Sequence, residues 1–169
     1  MAAIAAEDTR LIEAVDAHFA WMLGEIPAPF PNLRLPPGGV DSHGIIRLLR
    51  DMTARMRKEG CHGSWLIVAG DEVVGLCSYK QPRSNDGKVE IGYGIAAGKR
   101  DRGYASRAVR AMLEHARRDH TISVVVAATA SANIVSQRVL ERNGFSRTGV
   151  SYDPDDGELI WWQSILREF

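Results

Sequence analysis

The sequence predicts an α/β domain: a mixed, strongly twisted sheet of six or seven strands with helices on both faces. Three observations carry this. Apolar residues at spacings of three and four mark helices, whereas β-branched and aromatic runs bounded by Gly, Pro, Asn and Asp mark strands. The two kinds of segment alternate along the chain, and some strands are joined by tight turns while others are separated by a helix, which calls for both antiparallel and parallel pairs. At 169 residues the chain fits one domain, residues 1–169, large enough to bury a core without disulfide staples.

From Leu11 to Ile26 the apolar positions Ile12, Val15, Phe19, Met22 and Ile26 line one face of an expected helix. "PAPFPNLRLPPGGVD" then holds five of the seven prolines, which excludes regular helix and leaves room for a short edge strand near Leu33 to Leu35. "SHGIIRLLRDMTARMRKEG" resumes helical spacing through Ile45, Leu48, Leu49, Met52 and Met56, and Gly60 is placed to end it. "SWLIVA" and "VVGLCSY" around "GDE" read as an antiparallel hairpin, followed by the turn "QPRSNDG" and a strand "KVEIGYGI". A helix from Tyr104 to Arg118 carries Ala105, Ala108, Val109, Met112, Leu113 and Ala116 on one stripe. "ISVVVAAT" suits a strand buried on both faces, and "NIVSQRVLERNGF" a helix with Gly144 in the left-handed position after its end, so that Phe145 folds back on Leu140. "SRTGVSYD" and "ELIWWQSIL" close the chain as two strands around "PDDG", with Trp161 and Trp162 on opposite faces.

Composition narrows the function classes. With 21 basic against 21 acidic side chains, the chain has no net charge to serve a general nucleic-acid binder. Its two cysteines, Cys61 and Cys77, form neither a disulfide framework nor a metal or redox pair, which fits a reducing cytoplasm. "MAAIAAEDTR" lacks the basic start of a signal peptide, and no apolar run is long enough to span a membrane. His18, His43, His62, His115 and His120 show no ligand spacing, so no metal site is expected and surface positions are the default for them. No Gly-x-Ser-x-Gly elbow is present, and Cys77 within a strand reads as core rather than nucleophile.

The stretch "GYGIAAGKRDRGYASRAV" contains two overlapping glycine fingerprints. Gly92, Gly94 and Ala97 fit the dinucleotide pattern Gly-x-Gly-x-x-Gly/Ala, which requires a helix to begin inside it. Here the polar segment 98–103 intervenes, and the regular apolar stripe starts only near Ala105. The second fingerprint, Arg100, Gly103 and Ala105, sits at that helix start, where the main-chain amides of Arg102, Gly103, Tyr104, Ala105 and Ser106 lack intrahelical acceptors and can point at a pyrophosphate with the helix dipole behind them. Lys99, Arg100, Arg102 and Arg107 add positive charge; taken alone, Gly103 is equally well a plain helix-entry turn.

The ordered set "VEIGYGI", "AAGKRDRGYAS", "RAVRAMLEHA" and "NIVSQRVLERNGF" resembles the GCN5-related N-acetyltransferase (GNAT) superfamily, and within it the RimJ/RimL-like branch, over residues 64–165. The resemblance implies the GNAT-type sheet, an acetyl-CoA-binding core at 64–165, and an acceptor-side part at 1–60, where the family usually begins with a strand rather than the helix read here. It implies transfer of acetyl from acetyl-CoA to a primary amine, on a protein N-terminus or a small molecule, by direct attack. Glu90 would act as base, directly or through water; Ser136 would protonate the departing thiolate, with Tyr104 a second candidate. Asn133, together with the main chain from Tyr93 to Ile95 at a bulge where the strand splays from its neighbour, would hold the pantetheine arm. Arg100, Arg102, Gly103, Tyr104, Ala105 and Ser106 would cradle the diphosphate. Homodimers are common in the family, although no stripe in this sequence marks an interface.

The residue types agree with that chemistry. An alkylammonium of pKa ~10 must lose a proton before it attacks a thioester, and Glu90 shares a strand face with Gly92 and Gly94, whose missing side chains leave room for a ligand. Asn133 and Ser136 are three apart and share a helix face, which also suits a simple cap and a surface hydroxyl. The resemblance also implies that the turn carrying Asp153, Asp155, Asp156 and Glu158 borders the acceptor entrance, but Asp-Pro-Asp-Asp-Gly is first of all turn chemistry. Two other classes stay open: a non-catalytic module that senses acyl-CoA, and an NAD(P)-dependent oxidoreductase that uses Gly92, Gly94 and Ala97.

Overall fold

The computed structural model describes residues 8–168, so the signal-peptide reading of the first ten residues falls almost wholly outside it. Seven strands form one mixed sheet in the order β1-β2-β3-β4-β5-β7-β6. They are β1 Thr9–Glu13, β2 Ser64–Ala69, β3 Glu72–Tyr79, β4 Lys88–Ile95, β5 Val124–Ala130, β6 Ser146–Asp153 and β7 Gly157–Ile165. The helices are α1 Asp16–Met22, α2 His43–Lys58, α3 Tyr104–Arg118 and α4 Ile134–Arg142.

The expected helix from Leu11 to Ile26 is instead a strand followed by a shorter helix. Thr9 to Glu13 pairs antiparallel with Ala69 to Trp65 of β2, placing Leu11 and Ile12 against different cores on the two faces of the sheet. The spacing of Ile12, Val15 and Phe19 mimics a helix, but β2 offers an open edge, and satisfying it outweighs local periodicity. The chain thereby has the N-terminal strand that the family pattern implies. The expected edge strand near Leu33 reduces to one bridge, Arg34 with Glu72.

Helices do cover both faces. Phe19, Trp21 and Met22 of α1 and Ile46 of α2 pack with Leu66, Val68, Val73 and Leu76 on one face. Ala108, Val109, Met112 and Leu113 of α3, with Val139 and Leu140 of α4, pack with Ile67, Val89, Ile91, Val125 and Trp162 on the other. The β5 strand is buried on one face only: Val125, Ala127 and Thr129 are buried and the residues between them half-buried. Trp162 is core, its indole N–H donating to Thr129 Oγ1 at 3.0 Å, whereas Trp161 is half-buried and donates to Ser151 Oγ at 2.7 Å. Gly144 has φ 79°, and the Phe145 amide then bonds the Leu140 carbonyl at 3.1 Å, the cap the sequence predicted.

The histidines are not all on the surface. His18 is buried, stacks on Phe30 at 4.1 Å, and accepts a hydrogen bond from the Val15 amide at 2.9 Å through Nδ1. His62 and His115 meet edge to face at 4.9 Å beside Trp65.

Candidate active site

The central feature is where β4 leaves β5. The two strands pair in parallel only from Lys88 with Val124 to Glu90 with Val126, although β4 runs on to Ile95 and β5 to Ala130. On its other side β4 stays in unbroken antiparallel register with β3, from Tyr79 opposite Ile91 to Gly75 opposite Ile95. The expected bulge in β4 is therefore absent from this register; the opening arises from divergence on the β5 side alone. Main-chain groups of β4 beyond Glu90 that point toward β5 have no ladder partner there.

A cleft of about 800 Å³ opens from this gap between β4, the start of α3 and the start of α4. Tyr93, Ile95, Arg100, Gly103, Tyr104, Ala105, Ser106, Asn133 and Ser136 line it, which brings most of the sequence-predicted residues to one place. Arg102 is not among the lining residues: its carbonyl is held by Arg107 at 2.9 Å. Lys99 borders the cleft, but its ammonium is spent on the buried Glu72, which Arg34 also pairs.

The start of α3 is shaped by two left-handed residues, Asp101 at φ 62° and Gly103 at φ 79°. A non-glycine residue held at such a φ costs about 1 kcal/mol or more, and with two left-handed residues the segment 101–103 turns sharply just ahead of α3. The first helical hydrogen bond runs from the Arg107 amide to the Gly103 carbonyl at 3.1 Å, and Gly103 as N-cap offers no side chain to the amides of the first turn. The N–H groups of Ala105 and Ser106 thus stand at the positive end of a 15-residue helix, on the wall of the cleft. The first fingerprint has no such helix: Gly92 and Gly94 lie within β4, and Ala97 to Lys99 form a short 3-10 turn.

Opposite, Asn133 caps α4 by accepting from the Ser136 amide at 3.1 Å, which fixes both residues at the mouth of the gap. Tyr93 crosses beneath them, its hydroxyl donating to the Ser136 carbonyl at 3.3 Å, and burial pushes its pKa above the usual phenol range. The α3 and α4 walls are tied together by Asn143, whose amide donates to the Ser106 carbonyl at 3.2 Å, to Ser106 Oγ at 3.1 Å and to the Val139 carbonyl at 2.9 Å.

Glu90 stands on the other face of β4, at the last paired position before the gap. Its carboxylate is 3.3 Å from the Lys80 ammonium, and its side chain is 13% exposed. Gly92 and Gly94 continue that face, and Asp41 approaches it from the N-terminal end of α2, with Oδ2 3.8 Å from where a Cβ on Gly94 would lie. A group passing through the gap from the cleft therefore emerges beside Glu90. At the far hairpin, Asp153 Oδ1 accepts from the amides of Asp155 and Asp156 at 2.8 and 3.0 Å, so this carboxylate builds its own turn.

Sequence reasoning missed Asp101, Val135, Arg138, Val139 and Arg142, all of which line the cleft. Four of them could have been found: Val135, Arg138, Val139 and Arg142 recur at three and four residues from one another and extend the helix face that starts with Asn133. Asp101 gave no signal, because nothing in the sequence marks its backbone as left-handed. No cluster of three or more His, Cys, Asp or Glu side chains among the described residues could hold a metal ion. None of the described helices is long and apolar enough to cross a membrane.

The fold and the cleft define an acyltransferase-type α/β domain, and the chain belongs to the acetyltransferase (GNAT) domain family, whose model matches residues 33–146. It is similar to the uncharacterized N-acetyltransferase p20 of Bacillus licheniformis, 24% identical over 118 residues, which are 69% of this chain and 65% of that protein. It is also similar to the uncharacterized N-acetyltransferase YjdG of Bacillus subtilis, 32% identical over 84 residues, or 48% of this chain and 50% of that one. The match thus spans only part of the length of either relative. Among solved structures, RimL, a ribosomal-protein alpha-N-acetyltransferase in complex with coenzyme A, superposes with a TM-score of 0.72 at 20% identity, covering 96% of each chain. The aminoglycoside acetyltransferase AAC(6')-Ib in complex with coenzyme A gives 0.69 at 15% identity, over 94% of this chain and 95% of that one. At these identities the superpositions establish the shared fold.

Proposed function

We propose that this chain transfers an acetyl group from acetyl-CoA to a primary amine by direct attack, without an acyl-enzyme intermediate. The observation that carries the reading is the juxtaposition of an uncapped helix start at Gly103 with a strand gap that opens beside Glu90. The diphosphate suits the amides of Ala105 and Ser106, with Arg100, Arg138 and Arg142 supplying charge around the cleft. A pantetheine arm laid along β4 beyond Glu90 takes the place of the ladder partner that β5 withdraws. Its thioester then reaches the gap. The bound complexes of RimL and AAC(6')-Ib named above, both with coenzyme A, support this choice of cofactor.

Glu90 takes the proton of the incoming ammonium, directly or through a water, and the neutral amine attacks the thioester carbon. Unpaired amides of β4 near Tyr93 to Ile95 stabilise the oxyanion. Ser136, at the mouth of the cleft, returns a proton to the leaving thiolate. The acceptor is a protein N-terminus or a small-molecule amine; a residue such as Asp41 over Gly94 adds negative charge on the acceptor side. A screen of amine classes for thiol release tests the reading, alongside calorimetric titration of coenzyme A into wild type and Gly103→Glu. Saturable binding lost in the variant, with thiol release by at least one amine, is the expected result. Equal coenzyme A affinity in both proteins overturns the cradle, and binding without turnover by any amine leaves a sensing module in its place.

A further inference from the structure

The proposed base already has an amine beside it. Lys80 follows β3 directly and lies opposite Glu90, its amide donating to the Glu90 carbonyl at 2.9 Å, so the two side chains share a face of the sheet. The ammonium is 3.3 Å from Glu90 Oε1. The aliphatic arm does not extend straight away from the strand: its Cε lies 3.0 Å from where a Cβ on Gly92 would be, inside the space that the missing side chain leaves at the edge of the gap. Lys80 therefore holds a primary amine against the carboxylate, over Gly92, the second residue past the last β4–β5 pair.

We infer that Lys80 is itself an acetyl acceptor, modified in cis at this same site. The inference rests on the transferase reading above and goes beyond it, because it names an acceptor within the chain. Glu90 removes one proton from the Lys80 ammonium, and the lone pair of Nζ attacks the thioester carbon. The new bond joins Nζ to the acetyl carbon, and the bond from that carbon to sulfur breaks. The second nitrogen proton passes to the thiolate, and Glu90 releases the first to solvent, so acetyl-CoA and Lys80 give Nε-acetyl-lysine, coenzyme A and one proton. No further reagent is needed. Acetylation removes the charge that pairs Glu90, so the modified chain presents a carboxylate free to receive an external ammonium.

The chain supplies its own control. It has four lysines, and Lys88, at the start of β4, has a side chain 49% exposed against 48% for Lys80, while its ammonium is 3.9 Å from Asp86 on the surface. Spontaneous acetylation by acetyl-CoA would mark the two alike. The test incubates the intact protein with acetyl-CoA and no added amine, then follows acetyl occupancy at each lysine by peptide mass spectrometry. Lys80 is expected to be modified about 100-fold faster than Lys88, the low end of what a positioned base contributes. The rate should be independent of protein concentration, and the advantage should vanish in Glu90→Gln and in Gly103→Glu. Lys80 modified no faster than Lys88, or equally fast in Gly103→Glu, overturns the proposal, as does a rate that rises with protein concentration. If wild type releases thiol with an external amine while Lys80 tracks Lys88, only this inference falls; if neither an external amine nor any lysine is acetylated, the transferase reading has failed as well.

Discussion

Arg107 donates from its guanidinium to the Arg102 carbonyl at 2.9 Å, folding its side chain back over the turn that opens α3. The same guanidinium stands 5.1 Å from the Tyr104 ring centre, and its Nε donates to Thr9 Oγ1 at 2.9 Å, so the first turn of the helix is bolted to β1. In the proposed reading Arg107 is a positioning residue: it holds the start of α3, where the diphosphate would sit, without lining the cleft. Arg107→Ala is expected to weaken coenzyme A binding by about tenfold, the loss of one charge-assisted hydrogen bond of ~1.5 kcal/mol. Turnover at saturating acetyl-CoA should change little. Titration calorimetry beside steady-state kinetics checks both, and a fall in kcat with unchanged affinity would contradict the assignment.

Gly103 is needed for its backbone as much as for space. At φ 79° any L side chain is strained by roughly 1–2 kcal/mol, and a Cβ would sit 3.0 Å from Arg107 Nη1. Gly103→Ala should lower the melting temperature by about 2–4 °C for each kcal/mol lost and weaken coenzyme A binding together with it. Calorimetric melting with and without ligand measures the two effects.

Glu90→Gln keeps the shape of the side chain and removes its basicity. The expected result is a fall in kcat of about 100-fold or more with little change in KM for acetyl-CoA, because the amides of the cradle lie on the other face of the sheet. Equal kcat in the two proteins would assign proton removal to another group.

Stability should fall as the solution is acidified below pH 6.5. His18 has its pKa lowered from the usual 6.5, first by burial and then by Arg57, and its Nδ1 accepts from the amide of Val15, the residue that precedes α1. The unfolded chain therefore binds this proton more readily than the folded one, and the stabilisation is full above pH 6.5 and lost as pH falls from there through the folded value. His115 adds a second group of the same sign, lowered by burial and then by His62. His18→Asn retains an acceptor but does not titrate, so denaturant unfolding between about pH 5 and pH 7 should show a shallower loss than in wild type.

Much of the cleft lined by α3 and α4 was legible in the chain because it is local. The helix from Tyr104 to Arg118 has the predicted bounds, since a long apolar stripe follows a polar glycine turn with no competing partner. Gly103 and Asn133 could be read for the same reason: a cap or a left-handed turn is set by a few adjacent residues. The N-terminal segment was misread because the open edge of β2, more than 50 residues away, decides the conformation of Thr9 to Glu13.

By itself, then, the sequence determined an α/β domain with a glycine turn at the start of its third helix and a hydroxyl–amide pair at the head of the next. Only the tertiary structure decided that β4 parts from β5 after Glu90, that Lys80 fills the space over Gly92, and that Lys99 is spent on the buried Glu72. Local patterns encode elements and their ends. Strand divergence and the pairing of distant charges depend instead on which edges and side chains meet when the whole core is buried.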